Sequence, residues 1–179
     1  MKIAPTLGFI LAATSSAMTH ANICNTQPGS MTCGQGEVSQ ISSNGMVTIN
    51  GSTVIGDTLI NGVLYATDCN LHALTVNGTG SLIQCTINEL AKIKGSVTAS
   101  STKFQSGLQT HSNITRLINS KVTGDLTILH SGDQAQIVYL DTHSEVSGNI
   151  HFEDGNGQVI LRGGSAIKGQ VVGGKTITQ

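Results

Sequence analysis

Four segments of the chain carry the same alternation of apolar and polar positions around a glycine: KIKGSVTA (92–99), KVTGDLTI (121–128), EVSGNIHF (145–152) and AIKGQVVG (166–173). Two residues before the glycine stand Ile93, Val122, Val146 and Ile167; two after it stand Val97, Leu126, Ile150 and Val171. Four after it stand Ala99, Ile128, Phe152 and Gly173. The intervening positions hold lysine, threonine, serine, aspartate, glutamate, asparagine, glutamine and histidine, with Ala166 and Val172 as the apolar exceptions. A period of two is the signature of a strand with one buried face. The glycine falls on the inward side, where a bend or a close backbone approach leaves no room for a Cβ.

Weaker copies extend the pattern toward the N-terminus, at Val54-Ile55-Gly56 and Val76-Asn77-Gly78. In this frame the glycines stand at 56, 78, 95, 124, 148 and 169, with uneven spacing that suits a coil carrying variable loops. A second signature precedes the glycine: a small residue, any residue, then an apolar one. It reads Cys69-Asn70-Leu71, Cys85-Thr86-Ile87, Thr102-Lys103-Phe104, Ser120-Lys121-Val122, Ser144-Glu145-Val146 and Ser165-Ala166-Ile167. Repeats of about 20 residues are too short for helix pairs, and an antiparallel sandwich or barrel would not repeat one in-register pattern at rung intervals. The expectation is an all-β, single-stranded parallel β-helix of about six to seven rungs, roughly 30 Å long at about 4.8 Å per rung. Like positions stack in such a coil, so Lys121 and Glu145 should be outside neighbours.

The ends define the expected organisation. Lys2, the apolar run from Leu7 to Ala13 and the small-x-small triplet Thr19-His20-Ala21 read as a cleavable export signal over residues 1–21. The run is too short to span a bilayer, which takes about 20 residues. Ile23 before Cys24 argues against lipidation. Residues 22–43 are expected to form an N-terminal cap with a cysteine pair, and residues 44–179 the β-helix, with no membrane span.

Composition agrees with strands and limits the partners. Val, Ile and Thr are abundant, charged residues make up only 11%, and the net charge is −1, so no basic field exists to hold nucleic acid. Four cysteines after a signal favour disulfides, with three connectivities open on spacing alone. The segments CNLHAL (69–74) and CTINEL (85–90) align with both cysteines in the same place. Stacked equivalents lie about 5 Å apart, within disulfide reach. The expected pairs are therefore Cys69–Cys85 and, by default, Cys24–Cys33.

Catalytic and metal signatures are lacking. His72, His111, His130, His143 and His151 show no ligand spacing; His130 with Asp133, and His151 with Glu153 and Asp154, are the nearest clusters. The acids are scattered, Arg116 and Arg162 are the only arginines, and no tryptophan exists to stack on sugars. No Gly-x-Ser-x-Gly occurs. Asp154-Gly155-Asn156-Gly157 reads as a turn rather than a calcium loop, and Asn44-Gly45, Asn50-Gly51, Asn61-Gly62 and Asn77-Gly78 read as turns as well. The expectation is no catalytic residue, no metal and no cofactor.

The V-x-G-x-[VIL] strand, as in SEVSGNI (144–150) and SAIKGQV (165–171), resembles the repeat of bactofilins, polymer-forming bacterial proteins with a short β-helix. The run from 137 to 175 is also similar to a group of exported Gram-negative proteins with no assigned function. Bactofilins are cytoplasmic and lack a signal and paired cysteines. The resemblance therefore implies a β-helix and end-to-end assembly, and no cytoskeletal role.

A β-helix ends in unpaired strand edges unless capped. Gln170, Val171 and Val172, then Lys175, Thr176, Ile177 and Thr178, read as bare strand, with Lys168 and Lys175 as the nearest gatekeeping charges. The expectation is an exported, non-enzymatic structural or adhesion-type protein, in the periplasm, on the cell surface or released, that self-associates through this rung. A secreted binding module or effector for an unknown protein or glycan, and a small carbohydrate-active enzyme, are the alternatives.

Overall fold

The computed structural model describes residues 23–130, 132 and 134–179; the expected export signal and Asp133 lie outside them. The described residues form an all-β solenoid of about nine turns, its strands stacked in parallel. Each full turn visits three sides. Side one is built from Gly36–Val38, residues 52–54 and 70–71, Thr86–Ile87, Lys103–Phe104, Lys121–Val122, Glu145–Val146 and Ala166–Ile167. Side two takes residues 41–43, 58–60 and 74–76, then Ala91–Ile93, Gly107–Thr110, Asp125–Ile128, Ile150–Phe152 and Val171–Val172. Side three takes Ser30–Cys33, residues 46–50, 63–67 and 80–83, then Val97–Ser100, Ile114–Ile118, Ile137–Asp141, Gly157–Leu161 and Gly174–Thr178.

The alternation fills the interior with stacked columns. On side one, Val54, Leu71, Ile87, Phe104, Val122 and Val146 lie over one another and are all buried. On side three the column runs Cys33, Ile49, Ala66, Leu82, Ala99, Leu117, Leu140. Burying such side chains contributes about 1.5–3 kcal/mol each, and this interior holds the three sheets together.

The corners explain the glycines, and they correct the single frame read from the sequence. Gly45, Gly62, Gly78 and Gly95 stack at the corner between sides two and three, where a Cβ on Gly62 or Gly78 would sit 2.1 or 1.9 Å from the carbonyl oxygen of the glycine beneath. Gly56, Gly124, Gly148 and Gly169 stand at a different corner, between sides one and two; a Cβ on Gly169 would meet the Gly148 oxygen at 2.3 Å. The two corners share one local pattern, because each leaves one short strand and enters the next with the same inward phase. Much of the uneven glycine spacing is the passage from one corner to the other. The third corner, between sides three and one, carries glycine only toward the two ends of the rod, as at Gly51 (φ +73°) and Gly163 (φ +58°). Between those ends Asp68, Gln84, Ser101, Asn119 and Thr142 adopt φ of 51, 54, 50, 46 and 52°. Their cost in the left-handed region is about 1–2 kcal/mol each, offset by a ladder of turn bonds such as Gln84 N–H to Ser100 O (2.9 Å) and Asn119 N–H to Asp141 O (2.9 Å).

Turns counted this way number about nine rather than six or seven. The early turns are only 16–18 residues long, as in Cys69 to Cys85 and Thr102 to Ser120. Parallel pairing also reaches back to Ser30–Cys33 and Gly36–Val38, inside the segment read as a cap. Among the described residues only Cys24–Gln27 runs antiparallel, on Ser30–Cys33. Nine levels at about 4.8 Å make a rod roughly 40 Å long.

Candidate functional site

The small-x-apolar signature places one small side chain per turn just after the left-handed corner, pointing inward. Ser52, Cys69, Cys85, Thr102, Ser120 and Ser144 are buried there, with Ser165 above them. The column is covalent from Cys69 to Cys85 and hydrogen-bonded at the steps above it. Cys69 and Cys85 form a disulfide with Cα atoms 4.6 Å apart. Above it the Thr102 N–H donates to Ser120 Oγ (3.0 Å), the Ser120 N–H to Ser144 Oγ (3.2 Å) and the Ser144 N–H to Ser165 Oγ (3.0 Å). Each hydroxyl in turn donates to a main-chain carbonyl, as Ser144 does to Asp141 (2.7 Å). Cys24 and Cys33 are directly opposed in the antiparallel hairpin and form the second disulfide, with Cα atoms 4.0 Å apart.

The two ends differ. At the N-terminal end the disulfide-stapled hairpin covers side three, while Gly36–Val38 and residues 41–43 start the other two sides. A cleft there is lined by Ile23, Met31, Val38 and Ile41 among others. At the C-terminal end all seven residues singled out in the sequence lie in or beside the last turn. Val171 pairs with Ile150 and Val172 with His151; Lys175, Thr176, Ile177 and Thr178 pair with Gln158, Val159, Ile160 and Leu161. Gln170 donates its N–H to Asn149 Oδ1 (2.9 Å). Among the described residues no strand lies beyond this turn, and the inward Ile167 and Val171 are only half-buried where their equivalents one turn below, Val146 and Ile150, are buried. The Gln179 N–H donates back to Leu161 (2.9 Å). By strand alternation the N–H and C=O of Thr176 and Thr178 therefore face the open end.

Several charged groups meet in pairs across turns. Lys121 and Glu145 are register neighbours and their side chains meet at 2.9 Å, with Lys168 on the other carboxylate oxygen, also at 2.9 Å. The two lysines and the Ser147 hydroxyl hold the Glu145 carboxyl down to about 2 from its ordinary 4.5. His130 engages Asp154 through Nδ1, and its N–H donates to Glu153 Oε2 (3.0 Å). These acids thus serve His130 and not His151, which stands on side two. Among the described residues no group of three or more His, Cys, Asp or Glu is placed to hold a metal, and no helix is long and apolar enough to cross a membrane.

Sequence reasoning missed the outer surface of side three. One outward column there runs Tyr65, Ser81, Thr98, Arg116, Tyr139, Ile160, Ile177. Arg116 lies over the Tyr139 ring at 4.6 Å and Arg162 at 5.4 Å, and Asp141 accepts from Arg116 at 3.3 Å with Arg162 at 4.0 Å. Both arginines and both tyrosines of the chain stand on this one side.

The fold and its disulfides thus define a β-solenoid protein suited to an oxidising compartment. Compared with family models, with curated proteins and with solved structures, the chain matches none.

Proposed function

We propose that this chain is an exported, non-enzymatic structural or adhesion-type protein, a rigid rod that joins other copies end to end through its last turn. The observation that carries this reading is the open C-terminal turn: strand on all three sides, outward-facing N–H and C=O groups at Thr176 and Thr178, and half-buried apolar residues above the core. Unpaired strand edges of this kind are templates for another strand. Of the nearby charges, Lys168 is tied to Glu145 (2.9 Å), which leaves Lys175 as the gatekeeper on this edge. The disulfides and the N-terminal sequence support export. The bactofilin-like repeat supports assembly, and it supports nothing about location.

The test is light scattering after size exclusion, with electron microscopy, on the oxidised protein. Filaments, or a ladder that grows with concentration, are expected, and deletion of residues 170–179 should abolish both. Thr176→Pro removes one outward N–H without touching the ladder beneath it, so it should shorten the assemblies while the fold survives. A species no larger than a dimer, unchanged by either alteration, overturns the reading. It would turn attention to a binding module for a protein or glycan. Turnover of a polysaccharide, lost on substitution of one carboxylate, would establish the enzymatic alternative.

A further inference from the structure

We infer that the outer surface of side three is a docking face for a second copy of this chain, the two rods lying antiparallel with these faces in contact. This surface is separate from the C-terminal turn. Its composition sets it apart from the other two sides. Side one presents Glu37, Lys103, Lys121, Glu145 and Lys168 outward, and side two presents Asp57, Lys92 and Asp125. Side three instead presents Tyr65 (47% exposed), Met46 (48%), Ile83 (43%) and Ile114 (50%), together with Arg116, Tyr139 and Arg162; its one lysine, Lys175, stands on the last level, and side two matches it only with the exposed Leu59 and Val172. Tyrosine, methionine and arginine are the residues enriched where proteins meet, while lysine and acids are depleted there. The one acid on the strands of this side, Asp141, is already held by Arg116 (3.3 Å).

The partner is a second copy because the face complements itself. It has nine levels, and the middle one is Val97–Ser100. A two-fold axis through Thr98 pairs levels symmetrically. Arg116, one level above, then meets Ser81 of the partner copy, one level below; Tyr139, two above, meets the Tyr65 two below. The cationic half of each rod covers the uncharged half of the other, so no like charges are opposed. The small outward side chains near the axis, Ser81, Thr98 and Ser100, let the sheets approach to the usual spacing of about 10 Å. Strands of five residues over nine levels offer about 650 Å² per copy, or about 1,300 Å² in total, within the range of specific interfaces. Twofold dimers are the commonest closed assemblies.

The test is sedimentation velocity of the full oxidised protein across a concentration series, with two substitutions of opposite sign at one exposed site. Tyr65→Lys sets a lysine against the partner's arginines and should weaken the dimer at least tenfold. Tyr65→Glu sets an acid there and should keep or tighten it, most clearly at low salt. A purely structural effect would not follow the sign of the charge. Thr98→Cys should be joined to its symmetry mate by a thiol crosslinker reaching about 10 Å, and Thr127→Cys on side two should not. Val171→Lys, which burdens only the end of the rod, should leave this dimer intact; its loss there would assign the dimer to the C-terminal turn. A protein monomeric at high concentration, or a dimer indifferent to both Tyr65 substitutions, overturns the inference.

Discussion

Cys85 and Thr102 are consecutive members of one internal column, and between them the column changes from covalent to hydrogen-bonded linkage. Below, Cys85 is bonded to Cys69; above, Thr102 donates its N–H to Ser120 Oγ at 3.0 Å. The disulfide occupies a place that hydroxyls fill elsewhere, so the fold does not require it. Replacing Cys69 and Cys85 together by serine should preserve the solenoid and its circular dichroism, yet lower stability by about 3 kcal/mol, the cost of opening a loop of this length. Unfolding in denaturant measures the difference.

A hydroxyl in the same column is harder to remove. Ser144 accepts from the Ser120 N–H (3.2 Å) and is fully buried. Ser144→Ala leaves that donor unpaired and should cost about 1–3 kcal/mol. Ser165→Ala, at the half-buried top of the column, should cost less. Chemical denaturation of the two variants side by side checks the order.

The corner glycines separate close approach from backbone freedom. Gly62 has φ +148° and a Cβ there would lie 2.1 Å from the Gly45 oxygen. Gly155 has φ +71° and open space around it. Gly62→Ala should therefore cost about 3 kcal/mol or more, from overpacking added to strain, while Gly155→Ala should cost only about 1–2 kcal/mol. Melting temperatures of the pair give the comparison.

Much of this architecture was legible in the sequence. The alternation at Ile93, Val122 and Val146 identified inward positions correctly, and the Cys69, Cys85, Thr102, Ser120, Ser144, Ser165 signature marks one corner through six turns. The glycine frame misled because two corners of the coil pose the same steric problem, and Val-x-Gly-x-Val answers both. Gly95 and Gly124 look equivalent locally and stand at different corners. The left-handed corner was hidden because Asp68, Gln84, Ser101 and Asn119 have only their backbone in common. Side three was hidden for another reason. Tyr65, Arg116, Tyr139 and Arg162 gather on one surface only when turns of unequal length are counted correctly.

Glu145 makes stability depend on pH in a stated direction. Lys121 and Lys168 hold its carboxyl at about 2 when folded, below the ordinary 4.5. A carboxyl depressed by folding adds stability above its unfolded value, and that share is lost as pH falls through the folded one. Stability should thus decline between about pH 4.5 and 2, and Glu145→Gln should remove this part of the decline. Denaturation curves across the window, with and without the substitution, test it; equal slopes in the two proteins would overturn the assignment.

Insertions should be tolerated at one corner and not at another. The passage from Ser120 to Ser144 already takes 24 residues where Thr102 to Ser120 takes 18, the added chain leaving the coil between Asp125–Ile128 and Ile137–Asp141. Gly155 and Asn156 lie at the same corner one turn on, and both are exposed. Lengthening a loop there costs only about 0.6 kcal/mol per doubling, so four residues inserted after Gly155 should leave the fold near its original stability. The same insertion after Asn119 would displace Ser120, whose N–H and Oγ bond Ser144 and the Ala99 and Ile118 carbonyls. It should unfold the C-terminal turns, because the interior column above that point loses its register. Limited proteolysis of the two insertions distinguishes a cut confined to the new loop from loss of everything beyond it.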